Sequence, residues 1–468
     1  MNKSDYFINS DLYNDIDINK AVDSLSSAVK CKTISYTSSE EFCNEEFQKM
    51  HNVLKNHFPK VFGMGEVKLF DKSLLIKLVG KNPMLKPILL MAHQDVVYAD
   101  NNGWEVDAFS GLVKEGYIWG RGTEDIKSLM LAHLNACEYY LSHNTLNRTI
   151  YLSFGHDEEV GGFNGTKVIT EYLENNNVEL EAVIDEGFGF INDGTKYGVS
   201  KKLIGEVGIF EKGYLDMKID CHGEVGHSSN PFNKTSLEVL AEAITKVTTN
   251  PIKPSLPKAL KEALVKLYPI IDQEPLKEYM VEYINSTSDD EKNLLEEKII
   301  DYFLKDELLN IYVKTTIAPT VITGSSKATN VMPGDMSATI NFRLNESDTS
   351  AKVMDYYKKL ISNDRISISS TRTVEPSKTS NINSLGYTNM EKALKTFYKD
   401  VEFIPSVTTC ATDARHFKNL SDVILRIYPF FNRLSETNGI HGVNEKMDIS
   451  AYIQGIKVII KYIELMQM

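Results

Sequence analysis

The chain has 468 residues, which is long for one hydrophobic core and suggests two domains. Its 51 basic and 64 acidic residues give a net charge of −13, which disfavours nucleic acid or an anionic membrane as a partner. No apolar run approaches the ~20 residues of a membrane span, and the N-terminus lacks the apolar core of a signal peptide. The five cysteines form no CxxC pair, so we expect reduced thiols and a cytoplasmic location.

The first half of the chain alternates predicted strands and helices. KPILLMAHQDVV, residues 86–97, is a continuous apolar run that predicts a buried strand. DIKSLMLAHLNACEYYLSHN, residues 125–144, has apolar residues at helical spacing. RTIYLSFGHDEE predicts a second strand, GTKVITEYLENN a second helix and EAVIDEG a third strand. This order predicts an α/β fold with a doubly wound, mostly parallel sheet.

Polar side chains follow these predicted strands where each strand ends, and ligands gather at that edge of such sheets. The residues concerned are His93 and Asp95, Glu158 and Glu159, Asp185 and Glu186, and Asp125 at the start of the first helix. Imidazole and carboxylate without a thiolate suit zinc, manganese or cobalt in a catalytic site. The alternative is that Asp125 caps the helix and the glutamate pair lies in a solvated loop, and either is common when taken singly.

A region of about 207–380 interrupts the predicted sheet. YLDMKIDCHGE and SATINFRLN alternate apolar and polar residues and predict strands of a smaller sheet with one face exposed, while SLEVLAEAITKV predicts a helix. Residues of about 255–315 add helical patterns beyond these. We therefore expect one domain from 1–206 and 381–468, with an inserted α+β domain at 207–380. His133, within the first helix, is expected to pack through a hydrogen bond.

Several short segments resemble the M20 family of metallopeptidases, in particular its carboxypeptidase S and N-acyl-amino-acid hydrolase branch. In chain order they are HQDVV, WEVDAFSG, GRGTEDIKS, GHDEEVGG, VIDEG, GHSSNP, KATNVMPGDMSATINFR, TDARHF and HGVNEKM. These motifs extend over residues 93–441, and the ordered set is far more specific than any one of them. The resemblance implies that the inserted domain is a lid over a two-metal site.

Carried over position by position, the resemblance implies two Zn²⁺ ions, with Mn²⁺ or Co²⁺ as alternatives. His93 and Asp185 would hold one ion, Glu159 and His441 the other, and Asp125 would bridge both. Asp95 would fix the tautomer of His93. Glu158 would be the general base that deprotonates the metal-bound water. The resemblance also implies a cis peptide bond between Asp125 and Ile126.

Three residues of the inserted domain are implied as substrate contacts. His227 would donate to the developing oxyanion, Asn330 would hold the substrate backbone, and Arg343 would bind a terminal carboxylate as a bidentate fork. Without the resemblance, a turn histidine, a turn asparagine and a strand arginine in a surface ion pair would be the preferred interpretation of these three positions.

The implied activity is hydrolysis of an amide bond adjacent to a free carboxylate, in short peptides or N-acyl amino acids, by a monomer or homodimer. An aminoacylase or a diamino-acid desuccinylase-type deacylase, rather than a peptidase, is the alternative within this class. A catalytically silent binding module is the alternative from another class, and it would be expected to lack one of the ligands or the base.

Overall fold

The apolar runs of the sequence form a large sheet with helices packed against it. The structure, a computed structural model, describes residues 3–8, 11–36, 43–187, 189–191, 194–231, 234–431 and 439–468. The strands are β1 Glu66–Phe70, β2 Ser73–Leu78, β3 Ile88–His93, β4 Leu112–Lys114, β5 Tyr117–Trp119, β6 Ile150–Gly155, β7 Ala182–Glu186, β8 Phe190–Ile191, β9 Leu203–Glu211, β10 Gly213–Cys221, β11 Gly226–His227, β12 Thr316–Thr323, β13 Val331–Met332, β14 Met336–Leu344, β15 Ile366–Val374, β16 Val401–Thr408, β17 Ile424–Ile427 and β18 Lys446–Asp448.

Helices lie on both sides of this sheet and between the strands in sequence. They are α1 Ile18–Val29, α2 Asn44–His57, α3 Pro59–Met64, α4 Lys127–His143, α5 Thr166–Asn175, α6 Ser236–Thr249, α7 Lys258–Leu267, α8 Leu276–Asn285, α9 Asp289–Leu304, α10 Ser350–Ile361, α11 Leu385–Phe397 and α12 Ile449–Met466. Within the described part of the chain, none of these helices has both the length and the apolar character needed to cross a bilayer.

The large sheet has the order β1-β2-β6-β3-β7-β17-β9-β16, with β8 beside β9. Its centre, β6-β3-β7-β17, is parallel, and its β1-β2 edge is antiparallel. The fold is therefore mixed α/β, and β3 is buried along its whole length, as its continuous apolar run predicts. Strands β3 and β6 are parallel, and their last residues, His93 and Gly155, are paired with each other. The residues after both strands consequently meet at one rim.

A second sheet has the order β12-β14-β10-β15 and is antiparallel throughout. Its strands β10 and β14 alternate buried and half-buried residues, as the alternating sequence predicts. The buried face packs against α6 and α10 around side chains such as Leu240, Phe342 and Tyr357. The opposite face carries polar side chains, among them Tyr214 and Arg343.

The chain passes from the large sheet to the small one at Lys212, between β9 and β10. The predicted boundary at 206/207 falls inside β9, whose later residues still pair with β16. The helical segment α7–α9 also differs from the expectation of lid helices, because side chains such as Leu260, Leu264 and Phe303 belong to the core of the large sheet. The apolar stripe of α7 is evident in the sequence. The stripe predicts that the helix packs against a core, but it does not predict whether that core belongs to the large or the small sheet.

Candidate metal centre

His93 and Asp95 connect the end of β3 to the turn that follows β6. His93 is 2% exposed, and its Nδ1 lies 2.9 Å from the backbone oxygen of Asp95 and 3.4 Å from its Oδ1. The Asp95 carboxylate accepts the backbone N–H groups of Glu158 and Glu159, each at 3.2 Å. Burial alone would raise the pKa of Asp95, but its contact with His93 lowers that pKa below the usual value. Asp95 therefore orients both the imidazole and the glutamate turn.

Asp125 places one carboxylate oxygen beside each of two histidines. Its Oδ1 is 3.2 Å from His93 Nε2, and its Oδ2 is 3.1 Å from His441 Nε2. The peptide bond from Asp125 to Ile126 is cis, as the family resemblance implied. An aspartate with its two oxygens directed to separate imidazoles has the geometry of a bridging ligand.

Glu159 and His441 complete the second half of this arrangement. Glu159 Oε2 lies 3.1 Å from His441 Nε2, while Glu159 Oε1 is buried and has no hydrogen-bond partner among the described residues. His441 lies in a loop before β18, where its backbone φ is 56°, and its side chain is 53% exposed. Hydrogen bonds with Asp125, then Glu159, raise the pKa of His441 to about 10, which shows how strongly this corner attracts positive charge.

At the end of β7, the structure brings Glu186 to His93, where the family resemblance had assigned Asp185. Glu186 Oε1 is 3.6 Å from His93 Nε2. Asp185 instead accepts the backbone N–H of Ala414 through Oδ2 at 2.9 Å. Burial raises the pKa of Asp185 to about 6 and that of Glu186 to about 8. The two neighbours thus have different partners, and Glu186 is the one that faces the histidine.

Glu158 lies in the same turn as Glu159 but has different surroundings. Burial, followed by the nearby Glu186 carboxylate, raises the pKa of Glu158 well above the usual value. A carboxyl group whose pKa is moved towards neutrality is suited to exchange protons during a reaction.

Glu445 organises the loop that carries Asp125, and the sequence analysis did not single it out. Its side chain is fully buried, with Oε2 accepting from Arg121 Nη1 at 2.6 Å and from the Gly122 N–H at 3.0 Å. Its Oε1 accepts the N–H groups of Glu124 at 2.7 Å and Asp125 at 3.1 Å. The only sequence signal was its place in HGVNEKM, four residues after His441.

The three predicted substrate contacts lie in the part of the chain that carries the small sheet. His227 ends β11, is exposed, and accepts the Ser229 N–H at its Nδ1 at 3.1 Å. The Asn330 backbone oxygen accepts the Ser228 N–H at 3.0 Å. Arg343 is half-buried on β14, with its guanidinium 4.7 Å from the centre of the Tyr214 ring. Among the described contacts, none joins these three residues to His93, Asp125 or His441.

The donor atoms fit divalent cations. Within the described residues, two groups of three have ligand atoms within 4.8 Å of one another, and the groups share Asp125: His93, Asp125 and Glu186, and Asp125, Glu159 and His441. The unpartnered, buried Oε1 of Glu159 is a further oxygen that a cation would satisfy. Imidazole and carboxylate ligands without a thiolate match catalytic zinc, manganese or cobalt sites.

The chain matches known proteins over most of its length. The model of Peptidase family M20/M25/M40 matches residues 89–465. A probable carboxypeptidase S-like 2 of Dictyostelium discoideum is 35% identical over 440 residues, covering 92% of this chain and 82% of that protein. The N-fatty-acyl-amino acid synthase/hydrolase PM20D1 of Mus musculus is 30% identical over 451 residues, covering 94% of this chain and 87% of that protein.

Solved structures share the fold. The M20 family metallo-carboxypeptidase Sso-CP2 from Sulfolobus solfataricus has a TM-score of 0.68 at 18% identity, covering 96% of this chain and 99% of that one. Human carnosine dipeptidase 1 has a TM-score of 0.60 at 18% identity, covering 97% of this chain and 98% of that one.

The fold and the carboxylate–histidine cluster define a hydrolase of the metallopeptidase class. The chain belongs to the M20 family of peptidases. This confirms the resemblance identified in the sequence and makes the protein an enzyme rather than a silent binding module. Membership also implies a divalent metal, for which the two groups around Asp125 are the candidate ligands.

Proposed function

We propose that this enzyme hydrolyses an amide bond adjacent to a free carboxylate in short peptides or N-acyl amino acids. The observation that carries the proposal is the pair of histidine–carboxylate groups that share Asp125, with Glu158 in the same turn as Glu159. The relatives' names, a probable carboxypeptidase S-like protein and an N-fatty-acyl-amino acid synthase/hydrolase, support this substrate class.

The proposed cofactor is a pair of Zn²⁺ ions, with Mn²⁺ or Co²⁺ as alternatives. His93 and a carboxylate from the end of β7 would hold one ion, Glu159 and His441 the other, and Asp125 would bridge them. The contact with His93 favours Glu186 over Asp185 as the β7 ligand. Divalent ions held there would act as Lewis acids, lowering the pKa of a water and polarising the amide carbonyl.

Glu158 is the proposed general base. It would accept a proton from the attacking water and later donate one to the departing amine, since one carboxyl group serves both steps in sequence. Its raised pKa, caused first by burial, supports this exchange near neutral pH. Asp95 holds the N–H groups of Glu158 and Glu159 and so keeps the base beside the metal ligands.

Substrate binding is proposed to involve the part of the chain built on the small sheet, acting as a lid. In this proposal His227 stabilises the oxyanion, Asn330 holds the substrate backbone and Arg343 binds a terminal carboxylate. Since the described contacts of these residues do not reach His93 or Asp125, the lid would have to close for them to act.

Peptidase and deacylase remain two candidates within this class. The carboxypeptidase relative favours cleavage of short peptides, whereas the N-fatty-acyl-amino acid synthase/hydrolase favours removal of an acyl group. An aminoacylase or a diamino-acid desuccinylase-type deacylase is therefore the second proposed activity. We also propose a cytoplasmic location, supported by five free cysteines.

A substrate panel tests the proposal. The purified protein is loaded with Zn²⁺, Mn²⁺ or Co²⁺ and incubated with dipeptides, N-acetyl amino acids and N-fatty-acyl amino acids, with and without a chelator. We expect chelator-sensitive release of free amine from at least one group, and the preferred group separates peptidase from deacylase. The absence of turnover across the metal-loaded panel would contradict the proposed substrate class.

A further inference from the structure

Gln94 directly follows the proposed metal ligand His93, and its side chain is fully buried. Its amide nitrogen, Nε2, donates to the backbone oxygens of Lys72 and Phe154, each at 2.9 Å. Its amide oxygen, Oε1, lies 2.9 Å from His51 Nε2. The amide therefore uses both its nitrogen and its oxygen within the protein, and it connects three separate segments of the chain to the residue beside a proposed ligand.

The hydrogen-bond partners determine the orientation of this amide and the tautomer of His51. The backbone oxygens of Lys72 and Phe154 can only accept, so the nitrogen of the Gln94 amide must face them. The oxygen of the amide then faces His51, whose Nε2 is also 3.0 Å from the Lys72 oxygen. Because both neighbours of Nε2 are acceptors, this nitrogen carries a hydrogen. His51 therefore donates to Gln94, and one arrangement of hydrogens satisfies the whole group.

The backbone of Gln94 is held as well as its side chain. Its N–H donates to the Gly155 oxygen at 2.8 Å, and its oxygen accepts Thr33 Oγ1 at 2.6 Å. Phe154 and Gly155 are the last two residues of β6, and the turn that begins at Glu158 follows shortly after them. Both the backbone and the side chain of Gln94 thus bind the end of β6.

Two sets of contacts consequently join the end of β3 to the end of β6. The Asp95 carboxylate binds the N–H groups of Glu158 and Glu159, which follow β6, and Gln94 binds the last oxygens of β6 itself. Together these contacts set the position of His93 relative to Glu158. Groups that act together in catalysis must be held to within about 0.5 Å of the productive geometry, and hydrogen bonds around the ligands supply that precision.

The support for the Gln94 amide comes from the N-terminal part of the chain. His51 lies on α2, and Lys72 lies in the turn between β1 and β2. The motifs that resemble the M20 family extend over residues 93–441, so both partners precede them. The contacts that hold Gln94 are therefore made by segments outside those motifs.

We propose that Gln94 is a positioning residue, which holds the end of β3, with His93, in place beside the turn of Glu158, while His51 holds the Gln94 amide in the required orientation. This inference rests on the proposed metal site and general base. Gln94 acts through His93 and Glu158 and makes no contact with the substrate itself.

Cobalt binding tests the inference without a substrate. Gln94→Met keeps the length of the side chain but removes the amide, and His51→Leu removes the donor to it. For each variant, the dissociation constant of Co²⁺ is measured together with the visible spectrum of the Co²⁺-loaded protein, which depends on the geometry of the ligands. We expect Gln94→Met to bind Co²⁺ at least ~10-fold more weakly and to shift the spectrum, the lower end of the usual loss when a group supporting a ligand is removed.

The variant His51→Gln separates the hydrogen bond from packing. It offers an amide N–H near the position of the imidazole Nε2, so its Co²⁺ affinity and spectrum should return towards those of the wild type, whereas His51→Leu should share the changes of Gln94→Met. Because His51 is only half-buried, this pair also decides the matter if Gln94→Met does not fold. With the best-cleaved compound of the substrate panel, Gln94→Met should lower kcat and leave KM near the wild-type value.

Two matched controls remove similar groups elsewhere. Gln454 on α12 is 8% exposed, and its Nε2 donates to the Phe397 oxygen at 2.9 Å. His57 lies on α2 as His51 does, but its Nε2 is 3.0 Å from Asp23 Oδ2. Gln454→Met and His57→Leu should keep the wild-type Co²⁺ affinity and spectrum, even where urea unfolding shows a loss of stability.

Wild-type Co²⁺ affinity and spectrum in Gln94→Met and His51→Leu would overturn the inference, and so would equal changes in Gln454→Met. Altered Co²⁺ binding in Gln94→Met and His51→Leu alone would support it. If the wild-type enzyme then cleaved no compound of the panel, that result would contradict the proposed substrate class and not the role of Gln94 at the metal site.

Discussion

At the scale of single residues, Glu158 and Glu159 are neighbours whose backbone N–H groups bind the two oxygens of one carboxylate, Asp95. Their side chains nevertheless have separate surroundings, since Glu159 contacts His441 and the pKa of Glu158 is raised by burial and Glu186. We predict that Glu158→Gln keeps its metal but loses at least ~100-fold in kcat, the usual scale for a general base. The same change at Glu159 should lower metal content, as measured by mass spectrometry. Near-normal kcat in Glu158→Gln would contradict the assignment of the base.

Asp185 and Glu186 provide a second test at this scale. Glu186 faces His93, whereas Asp185 accepts the Ala414 N–H, so Glu186→Gln should reduce bound metal more than Asp185→Asn. Both substitutions remove one charge and keep the shape of the side chain. The comparison therefore isolates ligation from packing. A larger loss of metal in Asp185→Asn would return the ligand role to Asp185.

His93 and Asp125 could be located as site residues from the sequence, whereas Glu445 could not. His93 stands out because it ends an apolar run at one rim of a predicted sheet, and Asp125 because it begins the first predicted helix at the same rim. Glu445 does not stand out in the sequence, because its partners are mostly backbone N–H groups. Every residue type except proline carries such a group, so these contacts become evident only in the folded structure. The choice between Asp185 and Glu186 depends on where β7 ends, and element boundaries are the least predictable feature of a sequence.

At the scale of elements, α4 is buried on nearly every side, and His133 lies within it. His133 is fully buried, and neither ring nitrogen has a hydrogen-bond partner among the described residues, so the predicted hydrogen bond is not found. Burial lowers its pKa from 6.5 to about 3. The folded state therefore disfavours the charged ring, and stability is lost as the pH falls below 6.5 towards 3.

Replacing His133 should remove this acid sensitivity. Between pH 7.5 and pH 5, the wild type should lose about 2 kcal/mol more of its unfolding free energy than His133→Leu, since each pH unit below 6.5 costs about 1.4 kcal/mol. Urea unfolding at the two pH values measures the difference. His133→Gln, which is also uncharged, should share the flatter dependence. Parallel losses in the wild type and both variants would show that His133 does not cause the sensitivity.

At the scale of the whole molecule, four segments connect the large-sheet core to the small sheet: Lys212, 250–257, 313–315 and 375–384. Lys212 joins two of them, because its Nζ donates to the backbone oxygens of Ile311 and Lys314 at 2.8 and 2.6 Å. If the small sheet acts as a lid, these segments are its hinges.

If the small sheet acts as a lid, we predict a more compact molecule when a transition-state mimic binds. Small-angle scattering of the metal-loaded enzyme should show a smaller radius of gyration with a phosphinic transition-state mimic than without it, because closure brings the lid over the metal ligands. The metal-stripped enzyme with the same compound is the control and should not change. Identical profiles for the metal-loaded enzyme with and without the mimic would argue against a moving lid.

The burial of Glu445 has a consequence for how the enzyme is made. The loop that holds Asp125 is synthesised early, but its N–H groups find their acceptor more than 300 residues later, and His441 comes from the same late segment. Helix α12 follows this late segment in the chain, and it packs against α4, the helix that begins directly after the Asp125 loop. A ribosome must therefore translate past Glu445 before these ligands can meet. Any product that stops earlier would carry Asp125 and Glu159 without His441, so the cell would gain no hydrolase from an unfinished copy.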